Sequence, residues 1–317
     1  MTPTNPNRRF RFGVIMPRAA SGAEARERAV RAEGLGYSTL YVPDHFVDHP
    51  LGPIPTVAAV AAWTTTLNVG TLVLGNDYRH PVVLAKEAAT VDLLSEGRFE
   101  FGIGAGWMTV DYEKAGLRLD RPGVRIERLQ ESVQVLRGLW GDGPCTFHGE
   151  HYTVTDLDGD PKPHRPGGPT LVIGGGGPKV LAFAARTADV VGINANLKGG
   201  SANDPSTAPS MNPVSTDDKL RWVREAAGDR YAEIEIQALV GFLMVTDDAR
   251  SVAEGMAGVF QATPEEVLDS PVGLVGTVDE IVESLERRRE RWDMSYHVIP
   301  VEQMDAFAPV VDRLAGR

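Results

Sequence analysis

A parallel α/β fold of the closed (β/α)8 type is the class this sequence predicts, and three observations predict it. Strand-like and helix-like segments alternate along all 317 residues, eight strand segments can be traced, and several of them end in glycine or in small polar residues. Strands that alternate with helices run parallel, because a tight hairpin joins only antiparallel neighbours. Eight such strands in about 300 residues fit a barrel better than an open sheet, and a barrel keeps its chemistry in the loops at the C-terminal ends of the strands.

The elements follow in order. "FRFGVIMP" (10–17) is a strand, "SGAEARERAVRAEGLG" (21–36) an amphipathic helix with a glycine stop, and "YSTLYVPDHF" (37–46) a second strand. The alanine-rich "PTVAAVAAWTTT" (55–66) is a short helix leading into "LNVGTLVLGNDYRHP" (67–81), a buried strand that ends in a polar cluster. Helix 80–97 and strand "RFEFGIGAG" (98–106) come next, then helix 121–140 and a hairpin over "CTFHGEHYTV" with 148–150 near its turn. Strand "PTLVIGGGG" (169–177), helix 178–189 and strand "VVGINAN" (190–196) continue the rhythm. The stretch 197–218, rich in Gly, Ser, Pro and Asn, predicts a long mobile loop that could serve as a lid. A seventh strand is expected over 233–246 and an eighth over 294–300, with helices over 249–260, 277–292 and 304–314. The whole reads as one barrel domain over 1–317 with insertions near 108–168 and 197–232.

Composition narrows the function. A net charge of −11 argues against a nucleic-acid or anionic-membrane surface. One cysteine, Cys145, allows neither a disulfide framework nor a thiolate metal site. No apolar run reaches the ~20 residues of a membrane span, and "MTPTNPNRR" lacks the apolar core of a signal peptide, so a cytoplasmic location is expected. Histidine spacings typical of zinc sites, EF-hand loops and the G-x-S-x-G elbow are missing, so no metal is expected.

What remains is a glycine-lined rim. In "VIGGGGPK" a strand runs into Gly174, Gly175, Gly176 and Gly177 and then into a helix, which gathers main-chain N–H groups and a helix N-terminus in one place. That suits an anion, above all phosphate; the other reading is a turn whose glycines only permit tight packing. "VPDHF" puts Asp44 and His45, both candidate catalytic groups, at a strand end, where an imidazole can shuttle a proton near neutral pH. His80-Pro81 opens a helix and reads as structural. A roomy rim with few acid/base groups suits a bulky phosphorylated cofactor that carries its own chemistry.

The segments "YSTLYVPDHF", "LNVGTLVLGNDYRHPVVLAKEAATVDLLSEGRFEFGIGAGW", "GVRIERLQESVQVLRGLW" and "PTLVIGGGGPKVLAFAARTADVVG" resemble the luciferase-like monooxygenase superfamily, which includes bacterial luciferase and enzymes that use the deazaflavin coenzyme F420. The resemblance covers most of 10–195 and weakens beyond about residue 200, although 275–285 again resembles the family's late helix. It implies a barrel of the luciferase type and a non-proline cis peptide at Leu72–Val73 that backs the flavin ring, with Asn76 bordering it. It also implies a phosphate site at the four glycines, with Gly104, Ala105, Gly106 and Asn194 as further cofactor contacts, and places His45 opposite the reacting ring. Two departures matter: Ala105 stands where luciferase has an arginine for the flavin phosphate, and Trp107 where sugar-phosphate deazaflavin dehydrogenases have an acid. "GNDYRHP", "GIGAGW" and "NANLKGG" resemble actinobacterial deazaflavin members, so coenzyme F420 is expected, with FMN as the alternative. Tyr78, Trp107 and Tyr112 would line an aromatic pocket for a small organic substrate. The resemblance further raises a homodimer, a separate reductase supplying reduced cofactor, and a flavin-binding protein without turnover.

Overall fold

The structure is a computed structural model that describes residues 8–201 and 204–317. In chain order the elements are β1 (Arg11–Ile15), α1 (Gly22–Gly34), β2 (Thr39–Val42), α2 (Pro53–Trp63), β3 (Asn68–Thr71), β4 (Leu74–Gly75), α3 (Pro81–Leu94), β5 (Phe99–Gly104), α4 (Thr109–Ala115) and α5 (Pro122–Trp140). The antiparallel hairpin of β6 (Pro144–His148) and β7 (Thr153–Asp158) follows, then β8 (Thr170–Gly175), α6 (Pro178–Thr187), β9 (Val190–Ile193) and α7 (Pro213–Ala227). The chain ends with β10 (Glu235–Leu239), β11 (Phe242–Val245), α8 (Ala249–Phe260), α9 (Pro264–Asp269), β12 (Gly273–Gly276), α10 (Val278–Trp292), β13 (Met294–Pro300) and α11 (Met304–Leu314). Hydrogen bonding runs β3-β2-β1-β13-β10-β9-β8-β5, and β3 also pairs with β5, so the ladder returns to its first strand as a (β/α)8 arrangement. All eight expected strands take part in it.

Two compact units divide the chain. The first comprises Met16–Val30 and Leu40–Val172. Its central strand β5 is buried at all six residues, as parallel strands covered on both sides are. Phe99, Phe101 and Ile103 are fully buried there, each contributing about 1.5–3 kcal/mol. Strands β3 and β4 are one extended run interrupted at Leu72–Val73, a cis peptide, and both halves pair with β5. A Cβ at Gly102 would collide with the Thr71 carbonyl, and one at Gly104 would sit 2.8 Å from a Val73 methyl. The glycines of β5 are therefore required by the run beside it.

The second unit comprises residues 8–15, Arg31–Thr39 and the described part of Ile173–Arg317. Strands β1, β13, β10 and β9 pair in parallel there, with Phe12 opposite His297. Helix α10 shows how the sequence sets its ends. Thr277 and Glu280 close a capping box, Asp279 and Glu280 fill the first turn, and Arg289 and Arg291 the last. Ile281, Val282, Leu285 and Trp292 form its buried face.

Two expectations are corrected. The seventh strand is not continuous over 233–246: it breaks at Val240–Gly241, and β11 pairs with β12 in a separate two-stranded sheet. The 197–218 stretch is not a long loop, because a 3-10 helix spans Pro205–Met211 and α7 starts at Pro213. Its Asp and Asn residues are caps: Asp204 accepts from Ser206 N and Asn212 from Ser215 N, each ahead of a proline in the first turn. Ser210 then binds the segment down, its Oγ accepting from Asn196 N and its carbonyl from Lys219 Nζ. Residues 202–203 of the stretch lie outside the described residues.

Candidate functional site

In the first unit the end of β2 collects charge. His45 Nδ1 lies 2.6 Å from Asp111 Oδ2. A carboxylate only accepts, so the ring donates through Nδ1–H, and in the neutral imidazole the lone pair then falls to Nε2. Asp111, on α4, is fully buried, and its Oδ1 accepts from the main-chain N–H of Phe46 (2.9 Å) and Val47 (3.0 Å). The indole of Trp107 meets the His45 ring edge-on with centroids 5.4 Å apart, and His49 lies 4.9 Å away on another side. The imidazole keeps 17% of its side-chain surface exposed, so it can meet a ligand.

Asp44 points elsewhere. Its carboxylate takes Arg79 Nη1 at 2.5 Å and Nη2 at 3.2 Å, and accepts from Gly75 N at 3.0 Å, which ties the end of β2 to the end of β4. Asp77 is held by Arg128 at 2.7 Å, and Arg128 also reaches Asp120 at 2.5 Å. Burial alone would lower the Arg128 pKa, but its bonds to Asp77 and Asp120 outweigh that and raise it.

Tyr78 is half-buried, stacks against the exposed Phe46 at 4.6 Å between centroids, and sends its hydroxyl toward Asp111 at 3.4 Å. Tyr112 is fully buried, with its hydroxyl on Asp77 at 3.1 Å and its ring behind Gly106, so it offers no surface to a ligand. Burial, and then the Asp111 and Asp44 carboxylates, push the Tyr78 pKa well up; burial and then Asp77 do the same for Tyr112. Both phenols stay protonated donors. Asn76 is buried, donates to the Tyr152 hydroxyl at 3.3 Å and leaves Oδ1 without a partner. His80 caps α3 by accepting from Val82 N.

Arg125, which sequence reasoning did not single out, is 8% exposed, with Nε and Nη1 free of hydrogen-bond partners. A buried guanidinium left this way is costly, and an anion would satisfy it. Asp111 was missed as well. Neither has a local signal: an aspartate in a short helix and an arginine in a helical first turn look like surface residues.

In the second unit Gly174 and Gly175 close β8, and Gly177 caps α6 with Pro178 behind it. Asn194 N donates to the Gly175 carbonyl at 3.0 Å, and a Cβ at Gly174 would lie 2.7 Å from the Asn194 amide nitrogen. A Cβ at Gly176 would collide with the carbonyl of Ala195, and one at Gly175 with a Val180 methyl. Gly177 alone of the four opens onto free space. Three of the glycines are thus demanded by packing, and the fourth leaves the start of α6 accessible to an anion.

The luciferase-like monooxygenase family model matches residues 9–293. An F420-dependent glucose-6-phosphate dehydrogenase of Nakamurella multipartita is 28% identical over 302 residues, 90% of this chain and 83% of that protein. One of Amycolatopsis mediterranei is 35% identical over 170 residues, 51% of this chain, which there spans about half the relative's length. Among solved structures, the coenzyme F420-dependent tetrahydromethanopterin reductase of Methanopyrus kandleri superposes with a TM-score of 0.76 at 18% identity, covering 97% of this chain and 100% of that one, a likeness of fold. No helix among the described residues is long and apolar enough to cross a membrane.

Proposed function

Since the chain belongs to the luciferase-like monooxygenase family, we propose that it is an oxidoreductase that moves hydride between coenzyme F420 and a small organic substrate. The observation that carries this is the partly exposed His45 held through Nδ1 by a fully buried carboxylate, which leaves Nε2 to give or take a proton. F420 is favoured by the two relatives, both named as F420-dependent dehydrogenases, and by Ala105, which provides no guanidinium for a flavin phosphate.

Each unit carries residues suited to one part of such a group. The open start of α6 at Gly177 would take its phosphate, with Gly174, Gly175, Gly176 and Asn194 shaping the turn. Leu72 and Val73, both half-buried, would back the ring, with Asn76, Gly104, Ala105 and Gly106 beside it. Bound F420 supplies a ring carbon that accepts or donates hydride. His45 would hold or release the matching proton on the substrate, and Asp44, locked to Arg79, would keep the end of β2 in register with β4. Trp107, Tyr78 and Phe46 offer aromatic surface to an apolar or ring-containing substrate, and Tyr112 supports Tyr78 from behind.

A second reading, an FMN-dependent monooxygenase supplied by a separate reductase, draws support from Arg125, whose unpaired donors suit a terminal phosphate. Equilibrium titration of the protein with F420 and with FMN, followed by fluorescence, separates the two. The proposal expects F420 to bind at least tenfold more tightly; tighter FMN binding overturns it.

A further inference from the structure

Three aspartates with little side-chain exposure lie beyond β2 and β4 and on α4, and they are not equivalent. Asp44 is neutralised by Arg79 and Asp77 by Arg128, each through a direct ion pair. Asp111, the most deeply buried, has no lysine or arginine partner among the described residues; its ionisable neighbours are His45 at 2.6 Å and the protonated Tyr78 hydroxyl at 3.4 Å. A buried carboxylate needs donors, and here the main-chain N–H groups of Phe46 and Val47 fill one oxygen while His45 Nδ1–H fills the other. The two oxygens therefore have separate duties. Oδ1 pins the two residues that follow His45, and Oδ2 fixes the ring.

From this division we propose that Asp111 is the positioning residue for His45: it selects the Nδ1–H tautomer and sets the ring plane, so that Nε2 is the basic nitrogen presented to the substrate. The proposal rests on His45 as the proton-handling group of the proposed reaction. Trp107 packs edge-on against the ring and His49 lies beside it, ring contacts that leave the tautomer to Asp111. His49 Nδ1 is engaged by the Val47 carbonyl at 2.9 Å. The interaction spans 66 residues of sequence and joins the end of β2 to α4.

The duties can be separated by Asp111→Asn. Asparagine keeps an oxygen for Phe46 N and Val47 N but turns an NH2 donor toward the ring, where it can only be met by an unprotonated Nδ1. Two-bond proton–nitrogen correlation spectra of uniformly 15N-labelled, cofactor-free protein read the tautomer of His45, assigned by the signal lost in His45→Gln. Wild type is expected to show a protonated Nδ1 and a free Nε2, and Asp111→Asn the reverse. Turnover of the loaded enzyme should fall by on the order of 10²-fold or more, with cofactor affinity within a few-fold, as when the orienting acid of a histidine is lost. Asp111→Glu, which keeps the charge, should retain the wild-type tautomer, and it carries the test if the asparagine variant does not fold. A wild-type tautomer and wild-type turnover in Asp111→Asn would reduce Asp111 to a loop anchor. Because the spectra use free protein, a tautomer switch without any hydride chemistry would uphold the positioning and sink only the proposed reaction.

Discussion

Beyond the ends of β2 and β4 the structure gathers three aspartates with little side-chain exposure, two arginines and a histidine, whereas around the end of β8 it offers four glycines, an asparagine and main-chain N–H groups. Side chains at the first place can gain or lose protons, and every carboxylate there has a named donor. At the second, three of the four glycines are closely packed: Gly176 lies against the Ala195 carbonyl, and Gly174 and Gly175 against the Asn194 and Val180 side chains. The contrast teaches that glycine content alone does not mark a binding surface. Only Gly177 combines the start of a helix with open space, so an anion claim rests on that position and not on the run of four.

The largest expected effect separates chemistry from binding. His45→Ala should lower turnover on the order of 10²–10⁴-fold while cofactor affinity stays within a few-fold. Steady-state kinetics beside a binding titration measure both, and unchanged turnover would move the catalytic role to other rim residues such as Asp44, Asn76 or Trp107.

Next in size is the lysine that holds the segment following β9. Lys219 is 2% exposed, and burial pulls its pKa from 10.5 to about 8. Between about pH 8 and 10.5 the unfolded chain keeps a proton that the folded chain has released, so stability rises with pH across that window, and the full cost is present below pH 8. The limit is about 3 kcal/mol. Urea unfolding between pH 8 and 9.5 should show that rise in the wild type and a flatter profile in Lys219→Met; parallel profiles would place the lysine in water.

Two glycine substitutions sharpen the comparison further. Gly176→Ala should cost about 1–3 kcal/mol of stability, since its methyl meets the Ala195 carbonyl. Gly177→Asp should leave the melting temperature unchanged or slightly higher, because aspartate is a favoured N-cap. Yet it should weaken cofactor binding at least tenfold, about 1.4 kcal/mol, by setting a negative charge where a phosphate is proposed. Full affinity in Gly177→Asp would leave the turn a packing feature.

These regions also differ in how far the sequence could be read. Strand ends, the hairpin and the position of His45 are local properties, carried by β-branched runs, glycine stops and a histidine after a strand. The cis bond at Leu72–Val73 was expected only through resemblance, since no composition rule marks such a site. The 205–211 segment was misread because proline, asparagine and aspartate look alike in loops and in helix caps, and the deciding bonds, Ser210 to Asn196 and Lys219, are tertiary. Asp111 and Arg125 stayed invisible for the same reason. A buried charge is defined by partners far away in sequence, and Tyr112 likewise was expected at a pocket but is enclosed behind Gly106.

Hydride chemistry on F420, governed by His45, is what we propose for this chain. Its most direct test is an anaerobic assay that follows the absorbance of oxidised F420 with a panel of small alcohols, ketones and ring compounds, run on wild type and His45→Ala in parallel. Cofactor-dependent turnover under argon, cut at least 10²-fold by the substitution, is the predicted result. Turnover found only with reduced FMN and oxygen, and none with F420 under argon, would contradict it.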